Sequence, residues 1–208
     1  MTDIDLTNLS LVGGRPSLDF VNTEGGLRNG PPERLADYVD LARWSAFAGV
    51  IDEDAAGRLL RQAKADPAEA ARVHARAIEL REALFRVFAA VGEGDHPDPV
   101  DLDVLDRELA EALAHRRLVP AAGRFAWDFV DTKDRLDRIL WLLVGDAADL
   151  LSSDQLERVK GCGGENCTWL FLDESRNKSR RWCEMRECGN RAKQRRYQRR
   201  QRKAMGTA

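Results

Sequence analysis

Four cysteines, Cys162, Cys167, Cys183 and Cys188, are all the cysteine this 208-residue chain has, and they fall within 27 residues of one another. They form two close pairs, each with four intervening residues, separated by an insert of fifteen. A segment that short cannot bury a core large enough to hold itself together, so it needs a staple. Disulfides would serve in an oxidising compartment. The opening "MTDIDLTNLS" lacks the basic start and apolar core of a secretory leader, so the expected compartment is the cytoplasm. A metal is then the better staple. Two thiolate pairs brought together by a short insert suit one tetrahedral zinc. All-cysteine ligation leaves no coordination position open, so the ion is expected to be structural rather than catalytic. An iron–sulfur cluster also takes four thiolates, though at other familiar spacings, and four unrelated buried thiols are the plain alternative. The three histidines, His74, His96 and His115, lie far away in sequence and are not expected as ligands.

Charge is as unevenly placed as cysteine. The whole chain has a formal balance of -2, but residues 176–203 hold 13 bases and two acids, a balance of +11. The remainder holds 20 bases and 33 acids, or -13. A basic tail on an acidic body points to a polyanionic partner. The tail after Cys188 has no proline and is rich in Arg, Lys, Gln and Ala, so it is expected to be helical. Its bases fall on nearly every side, which excludes packing into a core. Tyr197 and Trp182 are the expected apolar contacts at its base. Between the cysteine pairs, "TWLFLDESRNKSRRW" reads as a hairpin that goes out through Trp169 and Phe171, turns at "ESRNKS" and returns through Trp182.

The body has helical periodicity. Helices are expected from Glu33 to about Gly49, after Asp52, after Asp66-Pro67, after Asp98 or Asp101, and after Thr132. Leu9–Val12 reads as a short strand, and Ser17–Thr23 as a strand or short helix. "GGLRNGPPE" reads as a loop. Leu118–Val119 and Phe125–Val130 flank a turn at Pro120–Gly123, giving a hairpin that the N-terminal strand would extend into a small sheet. Trp127 and Trp141 fall on expected core faces. The longest apolar run, Ile139–Val144, is far short of the roughly 18 residues that cross a membrane. The expected fold is mainly α with a small antiparallel β-sheet (α+β) over residues 1–155. A small four-cysteine zinc finger, hairpin plus basic helix, follows over 156–208.

The run "CGGENCTWLFLDESRNKSRRWCEMRECGNRAKQRRYQRRQ" resembles the CGNR zinc finger, whose eponymous residues are here Cys188-Gly189-Asn190-Arg191. The body, with "SLDFVNT" at Ser17–Thr23, is similar to the ABATE domain that usually precedes this finger. The resemblance implies a bacterial, stress-induced transcription regulator with the finger as DNA-binding module. It implies one zinc on Cys162, Cys167, Cys183 and Cys188.

These readings converge on a regulator that binds DNA. The candidate contacts are Arg180, Arg181, Asn190, Arg191, Lys193, Arg195, Arg196, Arg199 and Arg200. Arg and Gln side chains on a helix can meet both phosphates and base edges. Asp19, Asn22 and Thr23, polar residues in an apolar stretch, read first as hydrogen-bonded structural residues or a helix terminus, and otherwise as candidate lining for a small-effector pocket. The body is otherwise expected to mediate homodimerisation. RNA binding or protein docking by the finger are the rival readings. The remaining class is a tethered enzyme, and the sequence offers it no nucleophile elbow, phosphate-binding glycine loop or zinc-protease helix.

Overall fold

In the computed structural model the described residues are 10–24, 33–129 and 133–205. Among them the chain is mostly helical, with two separate two-stranded antiparallel sheets. The body contains α1 (Pro16–Val21), α2 (Tyr38–Phe47), α3 (Glu53–Ala65), α4 (Pro67–Glu93) and α5 (Pro99–His115). A hairpin of β1 (Arg116–Ala121) and β2 (Arg124–Phe129) follows, and then α6 (Arg138–Leu151). The C-terminal part holds β3 (Val159–Gly161), β4 (Leu170–Leu172) and α7 (Asn190–Met205).

Helix starts follow local chemistry. The side chains of Asp37, Asp52, Asp66 and Asp98 each accept a backbone N–H from the first turn they open. Pro67 and Pro99 stand at first-turn positions, where no N–H is needed. α4 is the hub, touching α1, α2, α3, α5, α6 and β3. Val73, Ala77, Leu80, Leu84, Val87 and Phe88 form its buried stripe at helical spacing. Trp44, Trp141, Phe20 and the leucines of α6 fill the space around it. Charged residues inside the body are paired: Arg81 grips Glu33 with both terminal nitrogens at 2.6 and 2.7 Å, and Arg76 meets the buried Glu108 at 2.6 Å. No described helix is long and apolar enough to cross a membrane.

Four expectations change. The helix expected from Glu33 starts at Tyr38, because Asp37 caps it while Glu33 is held by Arg81. The helix expected after Thr132 starts at Arg138; Thr132, like Leu9, Val130 and residues 25–32 of the expected loop, lies outside the described residues. Ser10–Val12 forms no strand, and the β1–β2 hairpin stands as a sheet of two. Val12 packs instead against the cysteine cluster. Trp127 is 57% exposed rather than in the core. The reason is the turn: Ala122 and Gly123 both take positive φ (45° and 78°), closing a two-residue loop on Ala121 and Arg124. That register puts Leu118, Phe125 and Trp127 on one face, where all three are exposed, while Phe129 at the far end of the same face reaches Trp141.

Candidate metal centre and basic surface

β4 is a wall shared by two cores, and this positions everything C-terminal to it. Along the strand, Leu170 and Leu172 enter the body core, whereas Trp169 and Phe171 enter a second cluster with Cys183 and Cys188. Alternation along a strand sends neighbours to opposite faces. Both faces here are apolar and covered, so all three strand residues are buried. β4 pairs with β3, with Val159 opposite Leu172. The expected return strand through Trp182 does not form. Residues 180–184 are irregular instead, because Asp173 and Arg180 spend their hydrogen bonds on loop backbone.

The buried Asp173 organises that loop. It accepts from Lys160 Nζ at 2.6 Å, the Ser175 hydroxyl at 2.5 Å, Ser175 N–H at 3.0 Å and Arg180 N–H at 3.0 Å. Burial opposes the charge, but these donors outweigh it and hold the carboxyl well below the usual carboxylate range. Arg180 then threads the junction. Its guanidinium donates to the carbonyls of Trp182, Leu172, Val12 and Cys183, and lies 4.3 Å from the centroid of Phe171. Expected as a nucleic-acid contact, Arg180 is placed as an internal tie between the cysteine loop and the start of the body.

The four cysteine sulfurs lie within 4.8 Å of one another. Cys183 Sγ is 3.8 Å from both Cys167 Sγ and Cys188 Sγ. Zinc–sulfur bonds of about 2.3 Å at tetrahedral angles require sulfurs about 3.8 Å apart, whereas a disulfide requires about 2.05 Å. The donor set therefore fits zinc. Cys183 N–H points at Cys162 Sγ at 3.3 Å, a contact that favours thiolate. Thiol crowding spreads the acidities: hydrogen bonds from Cys167 and Cys183 pull Cys162 far down, and the hydrogen bond with Cys162 pushes Cys167 up to about 11. Cys183 is driven up by its bonds to Cys162 and Cys167 and by burial. A dication at the centre is what lets all four ionise together. Gly164 makes room for this packing, since a Cβ there would lie 2.9 Å from Cys188 Sγ.

A π-helical turn, Met185–Gly189, carries Cys188 and runs directly into α7. The metal thus sits at the root of the basic helix. Arg191 pairs with Glu187 at 3.5 Å and Arg195 with Glu165 at 3.0 Å. Lys193, Arg196, Arg199, Arg200 and Arg202 are exposed and form no ion pair among the described residues. Arg181 is exposed beside the half-buried Trp182, and Asn190 is exposed, its amide donating to Arg186 O at 3.0 Å. Tyr197, expected at the base of the helix, is 63% exposed, and its hydroxyl accepts from Gln201 at 2.9 Å. Trp182 supplies the apolar contact at the root.

The three candidate effector residues have protein partners. Asn22 is buried and donates to Leu170 O at 2.8 Å while accepting from Leu170 N–H at 2.9 Å, so its amide behaves as one more strand beside β4. Thr23 donates to Phe20 O at 2.6 Å and accepts from Arg81 at 3.2 Å. Asp19 accepts from Gly13 N–H at 2.7 Å, and Gly13 O in turn accepts from Leu172 N–H at 2.7 Å. Asn22 directly, and Asp19 through Gly13, clamp body to finger, whereas Thr23 is tied within the body; the motif "SLDFVNT" alone does not disclose this.

Asn22→Ala strands two buried groups of Leu170. The expected loss is about 2–4 kcal/mol, or roughly 5–12 °C in thermal midpoint. A scanning calorimetry midpoint unchanged within about 2 °C, half or less of the smallest shift expected, would refute the clamp. Asp19 gives a pH signature. Burial, with help from Asp146, lifts its pKa to about 6 against the pull of the Gly13 and Val12 amides. Between about pH 4 and 6 the folded state keeps a proton that the unfolded chain has lost. Stability from this group is therefore greatest at low pH and falls by roughly 2–3 kcal/mol as pH rises through the folded value. Asp19→Asn keeps an acceptor for Gly13, so it is expected to be more stable than the parent at pH 7 and equal near pH 4. Urea midpoints at the two pH values test this, and a constant difference between the proteins would count against it.

Two family models match the chain. Residues 14–154 match ABATE, described as "Putative stress-induced transcription regulator", and residues 158–201 match the CGNR zinc finger. Neither is an enzyme family. No curated protein matches the chain.

Proposed function

The chain belongs to the ABATE family and carries a C-terminal CGNR zinc finger that binds one structural zinc ion; from that premise we propose that it is a transcription regulator that grips duplex DNA with α7. The observation that carries this is the set of exposed bases Lys193, Arg196, Arg199, Arg200 and Arg202 on a helix rooted at the cysteine cluster, with no acidic partners among the described residues. DNA presents one phosphate charge about every 1.7 Å of its axis, and neutralising those charges releases counterions. Arg191 and Arg195, already paired, contribute less until the DNA displaces Glu187 and Glu165. Arg181 and Asn190 flank the root of the helix and complete the contact surface. Phosphate contacts fix position, and base-edge contacts from Arg or Gln supply sequence preference.

Residues 1–155 act as the regulatory module and residues 156–208 as the binding module. A small effector or second copy acting on the body has a physical route to the finger, through Asn22, Gly13 and Arg180. Selection from random duplex DNA by the zinc-loaded full chain tests the reading. The expected result is enrichment of a shared motif that weakens with added salt. Enrichment absent from DNA but present with single-stranded RNA would replace the reading with an RNA-binding one, in which Trp182 and Arg181 stack on bases.

A further inference from the structure

The β1–β2 hairpin has no role in the reading above. Two strands alone are marginally stable in water, yet this hairpin leaves one face open: Leu118, Phe125 and Trp127 are 56%, 69% and 57% exposed. Its two edges differ. In the observed register, Ala121 and Arg124 close the two-residue turn. Arg124, Ala126 and Asp128 therefore point their backbone groups at β1, while Phe125 and Trp127 point theirs outward. On β1 the corresponding outward position next to the turn is Pro120, which has no N–H to offer, so that edge is blunted. On β2, Phe129 is already engaged, its N–H by Asp128 Oδ1 and its carbonyl by Arg138. Among the described residues, the open edge is thus Phe125 to Trp127.

We propose that this edge pairs with the same edge of a second copy, β2 against β2′ about a two-fold axis through Ala126. The sequence "RFAWD" (Arg124–Asp128) is self-complementary in that register. Arg124 faces Asp128 of the other copy and Asp128 faces its Arg124. Phe125 faces Trp127 and Trp127 faces Phe125, and the two Ala126 residues meet at the axis. The outward amides and carbonyls of Phe125 and Trp127 pair with one another across the interface. Aromatic and opposite-charge pairs directly across strands are stabilising, and like charges there are destabilising. Arg124 is exposed and has no acidic partner among the described residues. Asp128 is exposed; its Oδ1 accepts the Phe129 N–H at 2.7 Å and lies 3.7 Å from Arg138, which leaves Oδ2 to meet an arginine across the interface. The result is a four-stranded sheet with a continuous aromatic face. A register slipped by one residue sets Phe125 against Asp128 and breaks both ion pairs, so the pairing is specified. This dimer stands independently of any nucleic-acid role.

Sedimentation equilibrium on the zinc-loaded full chain, without nucleic acid, tests it from about 1 to 100 µM, the range expected of an interface at the small end of specific contacts. The expected result is a monomer–dimer equilibrium within that range. Arg124→Asp sets like charges opposite each other twice and is expected to weaken the dimer about tenfold or more. The double swap Arg124→Asp with Asp128→Arg restores opposite charges and is expected to recover the parent value within about threefold. A chain that stays monomeric throughout, a dimer indifferent to Arg124→Asp, or a double swap no better than the single variant each overturns the proposal.

Discussion

Raising salt from 50 to 200 mM is expected to weaken binding of the full chain to its DNA about a thousandfold. If α7 and its flanks neutralise about six phosphates, the slope of log affinity against log salt is about -5. A fourfold rise in salt then gives that loss. The same slope is expected on non-specific duplex, because phosphate contacts carry no sequence information. Replacing Arg196, Arg199 and Arg200 with Gln keeps helix propensity nearly constant while removing three charges. The slope should fall by about half, and affinity at 50 mM by roughly two orders of magnitude. Fluorescence anisotropy across a salt series reads both quantities. A slope shallower than about -2, or a triple variant with the parent's slope, would show that α7 is not the contact surface.

Removing the metal is expected to weaken binding at least as much as removing those three charges. The isolated α7 is 16 residues with bases stacked at i,i+4, as in Arg191, Arg195 and Arg199 or Arg196 and Arg200. Helices of that length are marginal in water, and like charges at that spacing weaken them further. What roots the helix is Cys188 in the turn just before it. For structural zinc, binding free energy is folding free energy, on the order of 10 kcal/mol. Chelation, or Cys183→Ala at the buried centre of the cluster, is expected to lower DNA affinity by about two orders of magnitude or more. Parallel metal analysis is expected to give one zinc per parent chain. Helical circular dichroism should drop in step with zinc loss. Full DNA affinity in a verified zinc-free protein would refute the structural role of the ion.

The zinc site was legible because its information is local: four ligand atoms of one type, in two close pairs, in a segment with nothing else to hold it. Helix starts at Asp52, Asp66 and Asp98 were legible for the same reason, since a cap is chosen by its next three residues. Arg180 was not. Its sequence neighbours are basic and place it with the surface arginines, whereas its carbonyl partners come from Val12 and Leu172, residues that only the fold brings near. A structural role for Asn22 was among the readings, but its partner was hidden for a similar reason, being 148 residues away. One signal for the shared wall was present. Leu170-Phe171-Leu172 is an unbroken apolar run, which implies a strand buried on both faces. The hairpin turn is half legible: Gly123 marks it, but the positive φ of Ala122 has no sequence signature, so sequence alone makes the loop two residues too long and places Trp127 inside.

β4 has a consequence for how this chain can be taken apart. Zinc fingers are often pictured as cassettes that can be cut out and spliced elsewhere. Here the cut would fall through a joint. A finger excised near residue 156 would carry Leu170 and Leu172 into water, and the body left behind would have a groove where they had been, with the Asn22 amide facing it. Neither piece would be a faithful copy of its half. A change on either side of the joint therefore has to be tolerated by the other.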